Sequence, residues 1–186
     1  MTQGLRDRRE HCPGESPVES QSIVFSHGQD GEPWGAKIVA MAEVARAHGL
    51  SVESVDYRGM ADPAARVHKL LEVCKTLPGK LVLVGSSLGA HVCMTAANQL
   101  PVRGVFVLAP AFFMPGYEQY TPQPPAGCPV TIVHGWNDTI VPPENSVRYA
   151  RQHRSTLHLI DSDHRLSANV DEVCEFLDRF LRRLPK

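Results

Sequence analysis

The sequence predicts an α/β fold: a mostly parallel sheet covered by helices on both faces. Three observations carry this. Short β-branched runs alternate with amphipathic helical stretches from residue 22 to the C-terminal end. The run "KLVLVG" (80–85) is apolar without alternation, as a strand covered on both faces must be. The length, 186 residues, and the hydrophobic content, 42%, suit one domain with a core of its own.

The elements follow in order. "SIVFSHG" (22–28) is a strand stopped by a polar, glycine-rich loop. Pro33 to His48 has helical spacing, with Ile38, Met41, Val44 and Ala45 on one face and Gly49 as its stop. "SVESVDY" (51–57) is the second strand. Asp62-Pro63 reads as an N-cap followed by proline at the first helical position, and Val67, Leu70, Leu71 and Cys74 form that helix's apolar stripe. Pro78-Gly79 ends it. After strand 80–85, a helix runs from Leu88 to about Gln99. Strands at 102–110 and 129–135 come next, then a helix from Pro142 to Gln152 and a strand at 155–160. The last helix starts near Asn169, with Glu172 as a capping-box partner. Val170, Val173, Leu177, Phe180, Leu181 and Leu184 line its buried face. The segment 111–128 is irregular, and its prolines argue against a helix or a central strand.

Residues 1–20 are polar, charged and dotted with Pro and Gly, which reads as a flexible tail ahead of a domain spanning 21–186. They lack the apolar stretch of a secretory signal. Net charge is -1, with no basic stripe for nucleic acid. No run approaches the roughly 20 apolar residues that span a membrane. The five cysteines are scattered and odd in number, which suits a reducing cytoplasm better than a disulfide framework.

The stretch carrying chemistry is "GSSLG", 85–89, between a buried strand and a helix. This is a nucleophile elbow. So tight a turn wants glycine two residues before and two after the nucleophile. Ser87 has Gly85 and Gly89 there, whereas Ser86 has Val84 and Leu88, so Ser87 is the nucleophile candidate. Its helix N-terminus favours developing negative charge, which makes the Leu88 N–H one oxyanion donor. A serine also needs a base, and the base an orienting acid. His164 lies in the loop after the last strand; His27 ends the first strand and His134 the fifth. His91 sits past the elbow, on the wrong side of the turn to reach back. For the acid, Asp138 follows the fifth strand and points over the same sheet edge. Asp161 and Asp163 are too near His164 in sequence to orient it well; Asp56 and Asp30 are further alternatives.

The order Ser87, Asp138, His164 is the chain order of the α/β-hydrolase triad. Over about residues 21–184 the sequence resembles a small α/β-hydrolase of the serine esterase type. The matching pieces are "FSHGQDG", "DYRG", "GSSLGA", "HGWNDTIVP" and "DHRL". The resemblance implies a three-layer α/β/α sandwich of about six parallel strands in the order 2-1-3-4-5-6, without the family's two extra N-terminal strands. It implies a second oxyanion donor at the Gln29 N–H, or at Asp30 in so long a loop. His27 and Gly28 then shape that loop. It implies no cap domain, because only 111–128 stands where a lid would be inserted. Phe112, Phe113, Met114, Tyr117 and Tyr120 are candidates for one wall of an open site. The expected activity is cleavage of small or medium acyl esters in the cytoplasm, with no metal or organic cofactor implied. A thioesterase or peptidase using the same triad, or a binding protein without turnover, are the rivals.

Overall fold

A computed structural model describes residues 21–185 of the chain; the tail expected over residues 1–20 lies outside them. Six strands form one sheet: β1 (Ser22–Ser26), β2 (Ser51–Val55), β3 (Leu81–Ser86), β4 (Val102–Leu108), β5 (Val130–Gly135) and β6 (Thr156–Ile160). Their order is β2-β1-β3-β4-β5-β6 and every pairing is parallel, as expected. The helices between them are α1 (Ala36–Ala47), α2 (Pro63–Lys75), α3 (Leu88–Ala97), α4 (Pro143–His153) and α5 (Val170–Arg183).

The central strand β3 explains the two layers. Its side chains alternate between two apolar clusters. Leu81 and Leu83 face α2, α3 and α4; Val82 and Val84 face α1 and α5. All four are buried, so the run has no polar face to alternate with. Truncating Leu83 to alanine would cost about 2–5 kcal/mol, as buried leucines do.

A local signal explains the start of α2. Asp62 caps α2, accepting from the Ala64 and Ala65 N–H groups ahead of Pro63. Two ends differ from expectation. α1 starts at Ala36, because Pro33-Trp34 form a turn closed by the Gly35 N–H on Glu32 O at 3.4 Å, and Gly35 is the extended N-cap. The capping box expected at Asn169 does not form. Asn169 Nδ2 donates to Glu172 Oε2 at 3.1 Å, and its Oδ1 is left buried without a partner. A 3-10 turn, Ser167–Asn169, leads into α5 and sets that geometry. Between β4 and β5 the chain makes a single 3-10 turn, Glu118–Tyr120, and no cap.

Candidate active site

The carboxyl ends of β1, β3, β4, β5 and β6 open onto one edge, where the chain turns into its helices. At the β3–α3 turn Ser87 adopts φ 54°, a left-handed conformation that costs a non-glycine residue on the order of 1–3 kcal/mol. The turn is held by the Ser87 N–H on Leu108 O at 2.9 Å and the Ala111 N–H on Ser87 O at 3.2 Å. Both flanking glycines are required, but not because side chains of the two positions would meet. A Cβ on Gly85 would lie 2.5 Å from Gly89 O, against the incoming helix. One on Gly89 would overlap the Ser26 carbonyl of β1. The elbow is therefore wedged between its own helix and the next strand.

Ser87 meets His164 and Asp138 here. Asp138 Oδ2 lies 2.7 Å from His164 Nδ1, and His164 Nε2 lies 3.0 Å from Ser87 Oγ. A carboxylate can only accept, so Nδ1 carries the proton and Nε2 is free to accept from the serine hydroxyl. Three other acidic candidates are engaged elsewhere, and Asp30 makes no hydrogen bond to either His164 or Ser87. Asp161 accepts from Asn137, Asp163 caps the Arg165 and Leu166 N–H groups, and Asp56 pairs with Arg58. Asp138 is buried, which by itself would raise its pKa. Hydrogen bonds from the Val141 and Ile140 N–H groups and from His164 outweigh burial and hold the carboxyl below its usual range.

His134, weighed above as a base, reaches neither Ser87 nor the cleft. It is fully buried behind the acid. Its Nε2 faces two acceptors, Asp138 Oδ2 at 2.8 Å and Val141 O at 3.0 Å, so this nitrogen is protonated. Nδ1 then accepts from the Ser146 hydroxyl at 2.6 Å. His27 is likewise buried in its loop. Its Nε2 accepts from the Tyr57 N–H at 2.8 Å, which leaves Nδ1–H to donate to Gly28 O at 2.7 Å. Burial holds both imidazoles below the ordinary histidine pKa, in agreement with these neutral tautomers.

The loop after β1 brings Gly28 beside the elbow; a Cβ there would be 3.4 Å from Ser87 Cβ. Among the described residues the N–H groups of Gln29 and Leu88 have no backbone acceptor. Two positive residues at this edge escaped the sequence reading. Arg66 of α2 is buried and donates to the Met60, His27, Gly28 and Gln29 carbonyls. Its signal was present: Arg66, Leu70 and Cys74 share an i, i+4, i+8 stripe, and all three are buried. Lys37, in the first turn of α1, donates to Arg165 O at 2.7 Å and ties that helix to the residue following His164. Burial draws its amine down to about 8.

A cleft of about 1510 Å³ runs over this edge. Ser87, Leu88, Gln29, His164, Met114, Tyr117 and Tyr120 line it, and so does His91, which faces it from α3 without contacting Ser87 through its ring. Two expected wall residues do not. Phe112 is fully buried, its ring 4.3 Å from that of Tyr149 in the α4 face of the core. Phe113 packs under the Arg148 guanidinium, 4.0 Å from its ring centroid. Ala109 (φ 41°) and Phe113 (φ 48°) both have positive φ on either side of Phe112. Among the described residues no group of three His, Cys, Asp or Glu side chains could hold a metal ion. No helix among them is long and apolar enough to cross a membrane.

The chain belongs to the alpha/beta hydrolase family, whose sequence model matches residues 23–184. A protein of the alpha/beta hydrolase superfamily from Xanthomonas campestris pv. campestris is 30% identical, with 89% of this chain and 99% of that one covered and a TM-score of 0.80. Two more distant structures share the fold. An alpha-beta serine hydrolase homologue from Coxiella burnetii is 20% identical, covering 96% of this chain and 100% of that one at a TM-score of 0.71. Mouse alpha/beta hydrolase domain-containing protein 10 is 19% identical, covering 96% and 97% at a TM-score of 0.72. No curated protein matches the sequence.

Proposed function

We propose that the protein is a serine hydrolase of the carboxylesterase type, cleaving small to medium acyl esters through an acyl-enzyme. The observation that carries this reading is the continuous path from Ser87 Oγ to His164 Nε2 at 3.0 Å and from His164 Nδ1 to Asp138 Oδ2 at 2.7 Å. Ser87 Oγ forms a bond to the ester carbonyl carbon while its proton passes to His164 Nε2. The carbonyl π electrons move onto oxygen. When the tetrahedral intermediate collapses, the C–O bond to the alcohol breaks and His164 returns the proton to that leaving oxygen. Water then repeats the sequence on the acyl-serine. Asp138 keeps the imidazole in the right tautomer and steadies its charge.

The Leu88 and Gln29 N–H groups serve as the oxyanion hole; both lack a backbone acceptor and flank Ser87. Losing one such donor typically costs about 100- to 1,000-fold in rate. Met114 and Tyr117 form the acyl-side wall, and the short 111–128 segment leaves the cleft uncovered. A cytoplasmic setting is part of the reading, supported by the free cysteines Cys74, Cys93, Cys128 and Cys174. The same triad suits a thioester or an activated amide. A panel of p-nitrophenyl esters, acyl thioesters and aminoacyl amides tests the choice, with Ser87→Ala as the control. Ester turnover that vanishes in Ser87→Ala supports the reading. Turnover of thioesters or amides alone changes the substrate class, and no turnover at all makes the fold a binding module.

A further inference from the structure

Arg66 is the one fully buried arginine among the described residues, at 1% exposure, and no carboxylate lies within ion-pair range of it. Asp30 acts on it from further off. A charge removed from water needs compensation. Here carbonyl dipoles supply it. Nε donates to Met60 O at 2.7 Å, Nη1 to Gly28 O at 3.2 Å and His27 O at 3.4 Å, and Nη2 to Gln29 O at 3.4 Å. Three of the four acceptors are consecutive residues of the loop that passes beside Ser87. The guanidinium also lies over the Tyr57 ring, 5.2 Å from its centroid.

The direction of those carbonyls settles the direction of the amides. In a trans peptide the C=O and the next N–H point opposite ways, and no peptide bond here is cis. The Gly28 carbonyl faces Arg66, so the Gln29 N–H faces away from it. The Gln29 carbonyl does the same for the Asp30 N–H. Gly28, Gln29, Asp30 and Ser87 line the cleft and the Arg66 side chain does not, although Asp62, Pro63, Ala64 and Val67 around it do. The Gly28–Gln29 peptide is held by two further donors, His27 Nδ1–H at 2.7 Å and the Gly31 N–H at 3.3 Å.

We infer that Arg66 is a positioning residue for the oxyanion hole: it grips the back of the Gly28–Gln29 peptide, whose N–H is the donor from the β1 loop. Its permanent charge, unshared with any close carboxylate, adds a favourable field at the same point. The inference rests on the serine-hydrolase reading. It goes beyond it by assigning a role to a residue that touches neither substrate nor triad.

The test is steady-state hydrolysis of p-nitrophenyl acetate by the full chain and its Arg66→Met and Arg66→Lys variants. Rates are divided by the serine titrated with a fluorophosphonate, so that misfolded protein does not count. Inhibition by phenylboronic acid, which forms a tetrahedral anion on a reactive serine, is measured alongside. Arg66→Met should lower kcat per titrated serine about 10- to 100-fold, less than deleting a donor outright, with KM within about threefold. Boronate affinity should fall in parallel. Arg66→Lys, which keeps the charge but reaches fewer carbonyls, should recover part of both. Wild-type kcat and boronate affinity in Arg66→Met would overturn the inference, as would failure of both variants to fold, which would make Arg66 a folding element. Ser87→Ala separates the two claims. If it keeps wild-type turnover, the serine-hydrolase reading fails; if it is inactive while Arg66→Met is not, only the role of Arg66 fails.

Discussion

His134 donates to Asp138 at 2.8 Å, on the same carboxylate oxygen that holds His164. The acid is thus gripped from behind by a buried ring while it orients the ring in front. Its other oxygen accepts from the Ile140 and Val141 N–H groups. Replacing it by asparagine conflicts with both histidines, since one amide oxygen cannot serve all four donors. Asp138→Asn should therefore lower kcat by about 10⁴-fold, the cost of the wrong imidazole tautomer, and should also lower Tm. Asp163→Asn should leave kcat within a few-fold, because an amide oxygen can still cap Arg165 and Leu166. Greater harm from Asp163→Asn than from Asp138→Asn, with both folded, would assign the acid elsewhere.

The buried and half-buried imidazoles make stability depend on pH in a stated direction. Burial, first among the causes, holds His27, His91, His134, His153 and His158 below the ordinary histidine value. As pH falls through ~6.5, the unfolded chain takes up protons that the folded protein refuses. Stability is then lost until the folded-state imidazoles are protonated too. The depressed Asp138 carboxyl adds a second loss below ~4, as the unfolded acid protonates first. Urea midpoints at pH 8, 7, 6 and 5 should fall steadily across the last two intervals. A midpoint that rises from pH 7 to pH 5 would contradict these neutral tautomers.

The position of Phe112 separates core from cleft. Phe112→Ala should cost about 3–5 kcal/mol of stability, read from urea unfolding, since the ring is enclosed against Tyr149. In protein that remains folded, its preference among acyl chains should match the wild type. Tyr117→Ala, at an exposed position on the cleft, should leave stability within about 0.5 kcal/mol and change that preference. The reverse pattern would put Phe112 in the site.

An uncovered cleft limits how much of an acyl chain it can bury. Each buried CH₂ is worth about 0.8 kcal/mol, roughly fourfold in binding, but only while the wall extends. The value of kcat/KM for p-nitrophenyl esters should level off or fall beyond about four to eight carbons. A rise continuing to sixteen carbons would mean that the 111–128 segment closes over the substrate.

Legibility in the sequence followed how local each signal was. The alternation of strands and helices and the Asp62 cap rest on periodicity and adjacent residues, and the structure has them as read; the strand order came from the family resemblance and also holds. The Ser87 elbow is a five-residue pattern with a steric cause, so it too was legible. Phe112 was not, because its ring packs against Tyr149 of α4, far along the chain, and its own neighbours in sequence carry no sign of that contact. The partners of His134 were hidden because they come from α4 and the turn after β5. Arg66 had a local signal in the stripe it shares with Leu70 and Cys74, but three of its four acceptors lie in a loop more than thirty residues earlier in the chain.

The central claim is that Ser87, and no neighbour, is the nucleophile. A fluorophosphonate adduct mapped by peptide mass spectrometry tests it most directly, because the phosphonyl group stays on the attacking oxygen. Wild-type protein and Ser86→Ala should carry one adduct on Ser87, and Ser87→Ala should carry none. An adduct on Ser86, or labelling that survives Ser87→Ala and disappears in Ser86→Ala, would contradict the account.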